Sequence, residues 1–184
     1  MLKVILAIVV AIAAIGAAIA FMGSRLPVAH VATRSVVINA PAETVFGTIT
    51  DFASAPSWRS DLKSVNVTTD AATGRQRVTE TGSSGSMTME IEQSIAPTRL
   101  VTRIVGEGLP FGGAWAYQLQ PQGNATQVTI TEHGEVYNPV FRFISRYIMG
   151  HTGTLEAYLT NLGMKFGQSV TPADAAPVPL QPGG

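Results

Sequence analysis

The chain has 184 residues, and its 12 basic and 12 acidic side chains give a formal net charge of zero, which excludes the basic surface typical of nucleic-acid binding. Because it contains no cysteine, disulfides, thiolate metal sites and a cysteine nucleophile are also excluded. The three histidines lie far apart without metal-ligand spacing, and the sequence has no G-x-S-x-G, P-loop or dinucleotide-binding motif. We therefore expect no metal ion, no cofactor and no nucleic-acid partner.

The first element is an apolar run without a charged side chain, from residue 4 to residue 22. At about 1.5 Å per residue, a helix of this length reaches about 28 Å, close to the roughly 30 Å hydrocarbon core of a bilayer. Residues 1–24 are therefore predicted to form a single transmembrane anchor.

A cleaved secretory signal is the alternative, since Lys3 provides a basic start and Ala18-Ile19-Ala20 has the spacing of a cleavage site. The run is longer than the about 7 to 15 residues of a signal's apolar region, which favours an uncleaved anchor. Basic residues flank the span on both sides, Lys3 before it and Arg25 after it, so the positive-inside bias is weak. We expect a single-pass cell-membrane protein whose main domain lies outside the cytoplasm.

Residues 28–168 have the usual length of one domain with one core, about 140 residues. Residues 169–184 are rich in proline and glycine and poor in large apolar side chains. We expect this tail to be disordered, because it cannot bury enough apolar surface to offset the entropy lost on ordering.

Periodicity divides residues 28–168 into strands and helices. β-Branched residues predict a strand over 30–38, and two short helices are predicted after it, one from Pro41 and one over 56–59. Six β-rich runs separated by turn residues follow between 62 and 136. Apolar residues at helical spacing then predict one long helix over 139–166, which glycines near its middle can bend.

This order of elements predicts an α+β fold. Short connections favour antiparallel neighbours, so we expect a seven-stranded antiparallel sheet. Such a sheet curls, and the long C-terminal helix is the element available to cover its apolar face. A curved sheet around a helix leaves an apolar space, which is a typical ligand site.

Three stretches carry a resemblance to a known superfamily. They are Ile38–Lys63 (INAPAETVFGTITDFASAPSWRSDLK), Gly112–Leu119 (GGAWAYQL) and Thr126–Glu132 (TQVTITE). Over about residues 34–167 the chain resembles the SRPBCC superfamily of START-like, helix-grip domains, in particular its polyketide cyclase/dehydrase and lipid-transport branch, in a membrane-anchored form. The resemblance implies a helix-grip fold. It implies less about function, because such domains include cyclases, aromatases, lipid carriers and ligand sensors.

Strand alternation predicts which side chains face the apolar space. Met87 and Met89 alternate with polar residues in one run, and Trp115 and Tyr117 occupy the inward positions of another. Methionines can line an adaptable lipid pocket, and Trp and Tyr can orient a ligand through their polar edges. Ordinary core packing is the alternative for all four.

Glu132 alternates in step with the apolar residues of its strand, so its carboxylate is predicted to face the interior with them. A buried carboxylate must be paired, hydrogen-bonded or protonated. Arg103 is a candidate partner because it lies on the same side of its strand as Val101 and Val105. His151 is a second candidate because it lies near the apolar stripe of the long helix. A structural network and a ligand-binding or acid-base role are the two interpretations of this group.

Trp58 lies in the second short helix, which is expected to close one mouth of the cavity. An entrance role is one interpretation. The other is that Trp58 packs this helix onto the sheet, since tryptophan is largely buried in most proteins.

The leading functional hypothesis is a non-enzymatic, membrane-anchored START-like domain that binds a hydrophobic small molecule or lipid. An anchor raises the local concentration of the domain at the bilayer, where an apolar ligand resides. The first alternative is a cyclase or dehydratase-like enzyme, in which Glu132, Tyr117, Arg103 or His151 would orient and protonate a polyketide-like substrate. The second is a structural subunit of an envelope complex. The sequence identifies no protein partner.

Overall fold

The computed structural model describes residues 1–83 and 85–181. Its first element is helix α1, Leu2–Ser24, which is exposed along nearly its whole length. By length and composition α1 is a candidate membrane span. It ends five residues before the first strand, so the domain begins close to the end of this helix.

The domain follows α1 in the predicted order of strand, two short helices, six strands and a helical C-terminal region. The strands are β1 Ala29–Ile38, β2 Leu62–Thr69, β3 Gln76–Gly82, β4 Gly85–Ile95, β5 Arg99–Val105, β6 Phe111–Gln122 and β7 Ala125–Val136. The helices are α2 Ala42–Thr50, a 3₁₀ helix Phe52–Ser57, α3 Pro139–Ile144, a π-helical turn Ser145–Met149 and α4 Gly153–Lys165. The predicted α+β architecture is confirmed.

All seven strands form one antiparallel sheet in the order β1-β7-β6-β5-β4-β3-β2. Only the pairing of β1 with β7 joins strands distant in sequence, so the rest of the sheet is a meander. Helix α4 packs on the inner face, where Leu155, Leu159 and Leu162 are fully buried among residues of β1, β6 and β7. Helix α2 closes one end of this core through Val45 and Ile49.

The predicted long C-terminal helix is broken into two parts. Gly150 has φ 74° and ψ 178°, a backbone conformation that is essentially restricted to glycine, and it ends the π-helical turn. A new helix, α4, begins at Gly153. The prediction of a bend was therefore correct in position, and the two parts have different main partners, α1 for α3 and the inner face of the sheet for α4.

Helix α3 packs mainly against the end of α1 and touches the sheet only lightly, at β7. The contact is close, because a Cβ atom at Gly23 would overlap the carbonyl oxygen of Pro139. Arg142 reinforces it by donating hydrogen bonds to the backbone oxygens of Leu26, at 2.9 Å, and Tyr137, at 3.2 Å. The end of the candidate span is thus tied to the first residues of α3.

The C-terminal tail differs from its predicted disorder in the described residues, which end at residue 181. Ala173 exchanges two backbone hydrogen bonds with Ser35 at the free edge of β1. Val178 is 3% exposed and packs on Val101 and Ala116, on the outer face of the sheet. Composition did not predict this packing, because the segment is held by contacts with residues distant in sequence: the buried valine, backbone hydrogen bonds, side-chain hydrogen bonds and an ion pair. Residues 182–184 of the predicted tail lie outside the described part of the chain.

Replacing Val178 with aspartate tests whether the tail is a packed element. We expect Val178→Asp to lower the free energy of unfolding by about 1 to 3 kcal/mol, because the apolar contact of one valine is lost. Ala176→Asp introduces the same charge at an exposed position of the same segment and should change stability by less than about 0.5 kcal/mol. Denaturation of the full chain in detergent measures both, and equal effects of the two variants would contradict a packed tail.

Candidate functional site

A cavity of about 230 Å³ lies between the inner face of the sheet and α4. Its wall crosses the sheet from His30 of β1 to Glu80 of β3, and Thr154 contributes from α4. The space exists because α4 covers the β1, β6 and β7 side of the curved sheet more closely than the β3 and β4 side. The cavity expected from the fold class is therefore present.

The middle of the cavity wall is apolar. Met87 and Met89 of β4, Ile104 of β5, and Trp115 and Tyr117 of β6 all line it. The sequence-predicted residues Met87, Met89, Trp115 and Tyr117 are thus brought together on one surface, as their strand alternation requires. Their role in ligand binding stays a prediction.

One end of the cavity holds a buried ion pair. Arg59, just after the 3₁₀ helix, donates to Glu80 at 2.5 Å and to Asp61 at 2.7 Å. Its guanidinium also lies 5.2 Å from the ring centre of Tyr158 on α4. Burial acts to lower the pKa of Arg59, but the Asp61 and Glu80 carboxylates outweigh it and raise that pKa above its usual value. Arg59 is therefore a permanently charged group that fixes the 3₁₀ helix to β3.

Aromatic rings join this ion pair to the apolar wall. Tyr158 lies edge-on to Tyr117 and Trp115, with ring centres 5.7 and 5.9 Å away. Burial raises the pKa of both tyrosines well above the usual value, so both hydroxyls stay protonated at neutral pH. These tyrosines can donate or accept hydrogen bonds but supply no negative charge to the cavity.

The other end of the cavity is formed by Glu132 and two histidines. Glu132 faces the interior as predicted and pairs with His30 of β1, Nε2 to Oε1, at 3.2 Å. The ring of His151 stacks on the ring of His30 with centres 3.7 Å apart. The break after Gly150 makes this stacking feasible, because it turns residue 151 toward β1. Of the two predicted partners of Glu132, His151 is linked to it indirectly, because it stacks on the His30 ring that pairs with Glu132.

Arg103 does not join this group. It lies on the outer face of β5 and pairs with Glu92, Nε to Oε1, at 2.5 Å, while its neighbours Thr102 and Ile104 face the cavity. Strand alternation misplaced Arg103 because side chains are buried on both faces of β5. Val101 is buried on the outer face under Val178, so its apolar character does not mark the inner face.

Trp58 is absent from the cavity wall among the described residues. Its ring packs edge-on against Tyr158 with centres 5.4 Å apart. Its indole N–H is buried and has no acceptor within the described part of the chain. This position agrees with the packing interpretation, and the entrance role stays an untested prediction.

A second groove, of about 320 Å³, adjoins the cavity. It lies between the segment from Leu26 to Val31 and the α3 region, where Arg142, Arg146 and Tyr147 form its wall. His30 and Val136 line both spaces, so the stacked histidines separate the groove from the cavity. Sequence reasoning missed His30. The available signal was its position, since it has the same parity as the buried residues Ala32 and Val36 of β1.

The family profile described as "Polyketide cyclase / dehydrase and lipid transport" matches residues 29–163, which is most of the chain. The chain belongs to this family. The predicted membership of the SRPBCC superfamily, with its START-like fold, is therefore confirmed. No curated protein matches the sequence.

Several solved structures have a similar fold. A START superfamily protein from Mycobacterium smegmatis matches with a TM-score of 0.58 at 17% identity, over 75% of this chain and 97% of that chain. A conserved protein from Geobacillus kaustophilus matches with a TM-score of 0.60 at 17% identity, over 79% and 100%. A hypothetical protein from Helicobacter pylori matches with a TM-score of 0.58 at 13% identity, over 72% and 85%. At these identities the similarity shows the fold alone.

The titration of His151 tests the histidine pair in this family member. Burial, together with the neighbouring His30, lowers the pKa of His151 below its usual value, and Glu132 acts in the opposite direction. We expect an NMR titration to place this pKa below about 6.5. Glu132→Gln should lower it further, whereas His30→Gln should raise it. A His151 pKa that Glu132→Gln and His30→Gln leave unchanged would contradict the observed cluster.

Proposed function

We propose that the chain is a membrane-anchored START-like domain that binds a hydrophobic small molecule or lipid in its internal cavity and performs no catalysis. The observation that carries this proposal is the cavity itself, whose apolar wall of two methionines, an isoleucine and two aromatic rings adjoins a groove beside α1. The family to which the chain belongs supports a ligand-binding domain. Beyond ligand binding in general, we propose that the ligand is apolar and that α1 anchors the domain in a membrane.

Four exposed apolar side chains near α1 support the membrane half of the proposal. Phe141, Tyr147, Ile148 and Met149, in α3 and the π-helical turn, are 53%, 59%, 72% and 75% exposed. Apolar side chains this exposed and this close together are costly in water and typical of a surface that meets another apolar phase. Since α3 packs on the end of α1, a bilayer that contains α1 would lie next to these side chains.

The groove offers a route for a ligand between bilayer and cavity. It opens between the α1–β1 connection and α3, and only His30 and Val136 are shared with the cavity wall. A ligand that leaves the bilayer beside α1 would therefore pass the His30–His151 stack before it contacts Met87 and Met89. In this proposal the main domain lies outside the cytoplasm and takes its ligand from the adjacent leaflet.

The cavity volume limits what is bound. At about 230 Å³ it is smaller than the roughly 300 to 1,000 Å³ of typical sites for drug-sized ligands. At this size the cavity fits a small amphiphile or one segment of a larger lipid. Two-chain phospholipids would require the sheet and α4 to move apart.

An acid-base enzyme is the second candidate, and the His30–Glu132 pair on the cavity wall favours it. A carboxylate that fixes an imidazole is a common arrangement for proton transfer. If this candidate were correct, Glu132→Gln would abolish turnover of a polyketide-like substrate while the protein stays folded. Unchanged turnover would count against it.

Blocking the cavity tests the binding proposal. The full chain, extracted in mild detergent and incubated with lipid vesicles, is expected to carry a bound apolar molecule in native mass spectrometry. Met89→Trp adds bulk to the cavity wall and should reduce this occupancy about tenfold or more, because close-packed interiors do not accommodate added volume.

Met164→Trp is the matched control, since Met164 is an exposed residue of α4 outside the cavity wall. It should leave ligand occupancy unchanged. An empty wild-type protein after exposure to vesicles, or equal occupancy in both variants, would contradict binding in this cavity.

A further inference from the structure

Negatively charged side chains outnumber positively charged ones on the cavity wall. Three carboxylates, Glu80, Glu132 and Glu135, contribute to the wall, whereas Arg59 is the one arginine or lysine there among the described residues. The sheet order places Glu80 at one end and the two carboxylates of β7 at the other. A polar group on a bound ligand therefore meets a carboxylate at either end.

Arg59 is already engaged by resident carboxylates. Its Nη1 donates to Glu80 at 2.5 Å, and its Nε and Nη2 donate to Asp61 at 3.4 and 2.7 Å. One face of the guanidinium lies over the ring of Tyr158. An anionic ligand group would have to compete with two protein carboxylates for this cation, so Arg59 does not form an open anion site.

The carboxylates, in contrast, have accepting capacity left. Each carboxylate uses one oxygen in a hydrogen bond. Oε1 of Glu80 accepts from Arg59, Oε1 of Glu132 pairs with His30, and Oε2 of Glu135 accepts from the Tyr137 hydroxyl at 2.6 Å. The second oxygen of each carboxylate has no donor within residues 1–83 and 85–181. Glu80 as a residue is only 8% exposed, so little of its carboxylate is open to bulk water.

We propose that the cavity selects an amphiphile whose polar end donates hydrogen bonds, as an amine or alcohol does, and rejects carboxylates and phosphates. A donor satisfies a free carboxylate oxygen, and a positive charge adds Coulomb attraction in a partly dry site. An anionic end meets like charge at both ends of the wall and finds its one cation occupied. This inference rests on the proposed function, since it specifies the ligand of the same cavity.

Competition among four probes of equal chain length tests the inference. The full chain in phosphatidylcholine nanodiscs is incubated with equal amounts of octylamine, octanol, octanoate and octyl phosphate at neutral pH, and bound probes are counted by native mass spectrometry. Octylamine should exceed octanoate and octyl phosphate by about tenfold or more, with octanol between them. Equal binding of the four, or preference for an anion, would overturn the inference and leave the proposed function standing. Binding of none would overturn both.

Charge-removing variants show whether the carboxylates are responsible. Glu132→Gln and Glu135→Gln should each narrow the preference for octylamine over octanoate by several-fold, because each removes one negative charge from the wall. Two variants are used so that a fold defect in one does not decide the result. Glu43→Gln removes the same charge from an exposed position of α2, outside the cavity wall, and should leave the preference unchanged. Equal effects of all three variants would contradict selection by the wall carboxylates.

Discussion

The arrangement of this domain depends on the interruption of its C-terminal helix at Gly150. A continuous helix over 139–165 would keep one direction, so its two halves could not serve two different partners. The glycine conformation at residue 150 separates them. As a result α4 buries Leu155, Leu159 and Leu162 in the curved sheet, while α3 packs on the end of α1. One backbone position thus links the internal cavity to the candidate membrane span.

The same interruption forms the boundary between groove and cavity. His151 follows Gly150 directly and stacks on His30, which in turn pairs with Glu132. These three side chains come from β1, β7 and the connection between the π-helical turn and α4, so movement of that connection relative to the sheet would change their contacts. The stacked histidines are therefore the point at which a change in the groove beside α3 would reach the cavity.

The sequence predicted the architecture well because a one-sided sheet leaves a clear pattern. Met87, Met89, Trp115, Tyr117 and Glu132 all face the cavity, as alternation required. Prediction failed where a second layer covers the outer face, since Val101 is buried there and its parity misplaced Arg103. Composition likewise missed the packed tail, because its contacts are with residues distant in sequence. The His30–His151 contact was beyond sequence reasoning, since it depends on the backbone at Gly150.

In the proposed arrangement, α1 anchors the domain in a bilayer, and the exposed apolar side chains of the α3 region face that bilayer. The chain has no cysteine, so a single Ile148→Cys substitution can carry one environment-sensitive fluorophore. The control is Val67→Cys on β2, at the edge of the sheet opposite β1. In nanodiscs the account predicts a blue-shifted emission protected from an aqueous quencher at position 148, and a water-like, quenchable emission at position 67. Equal quenching at both positions would contradict it.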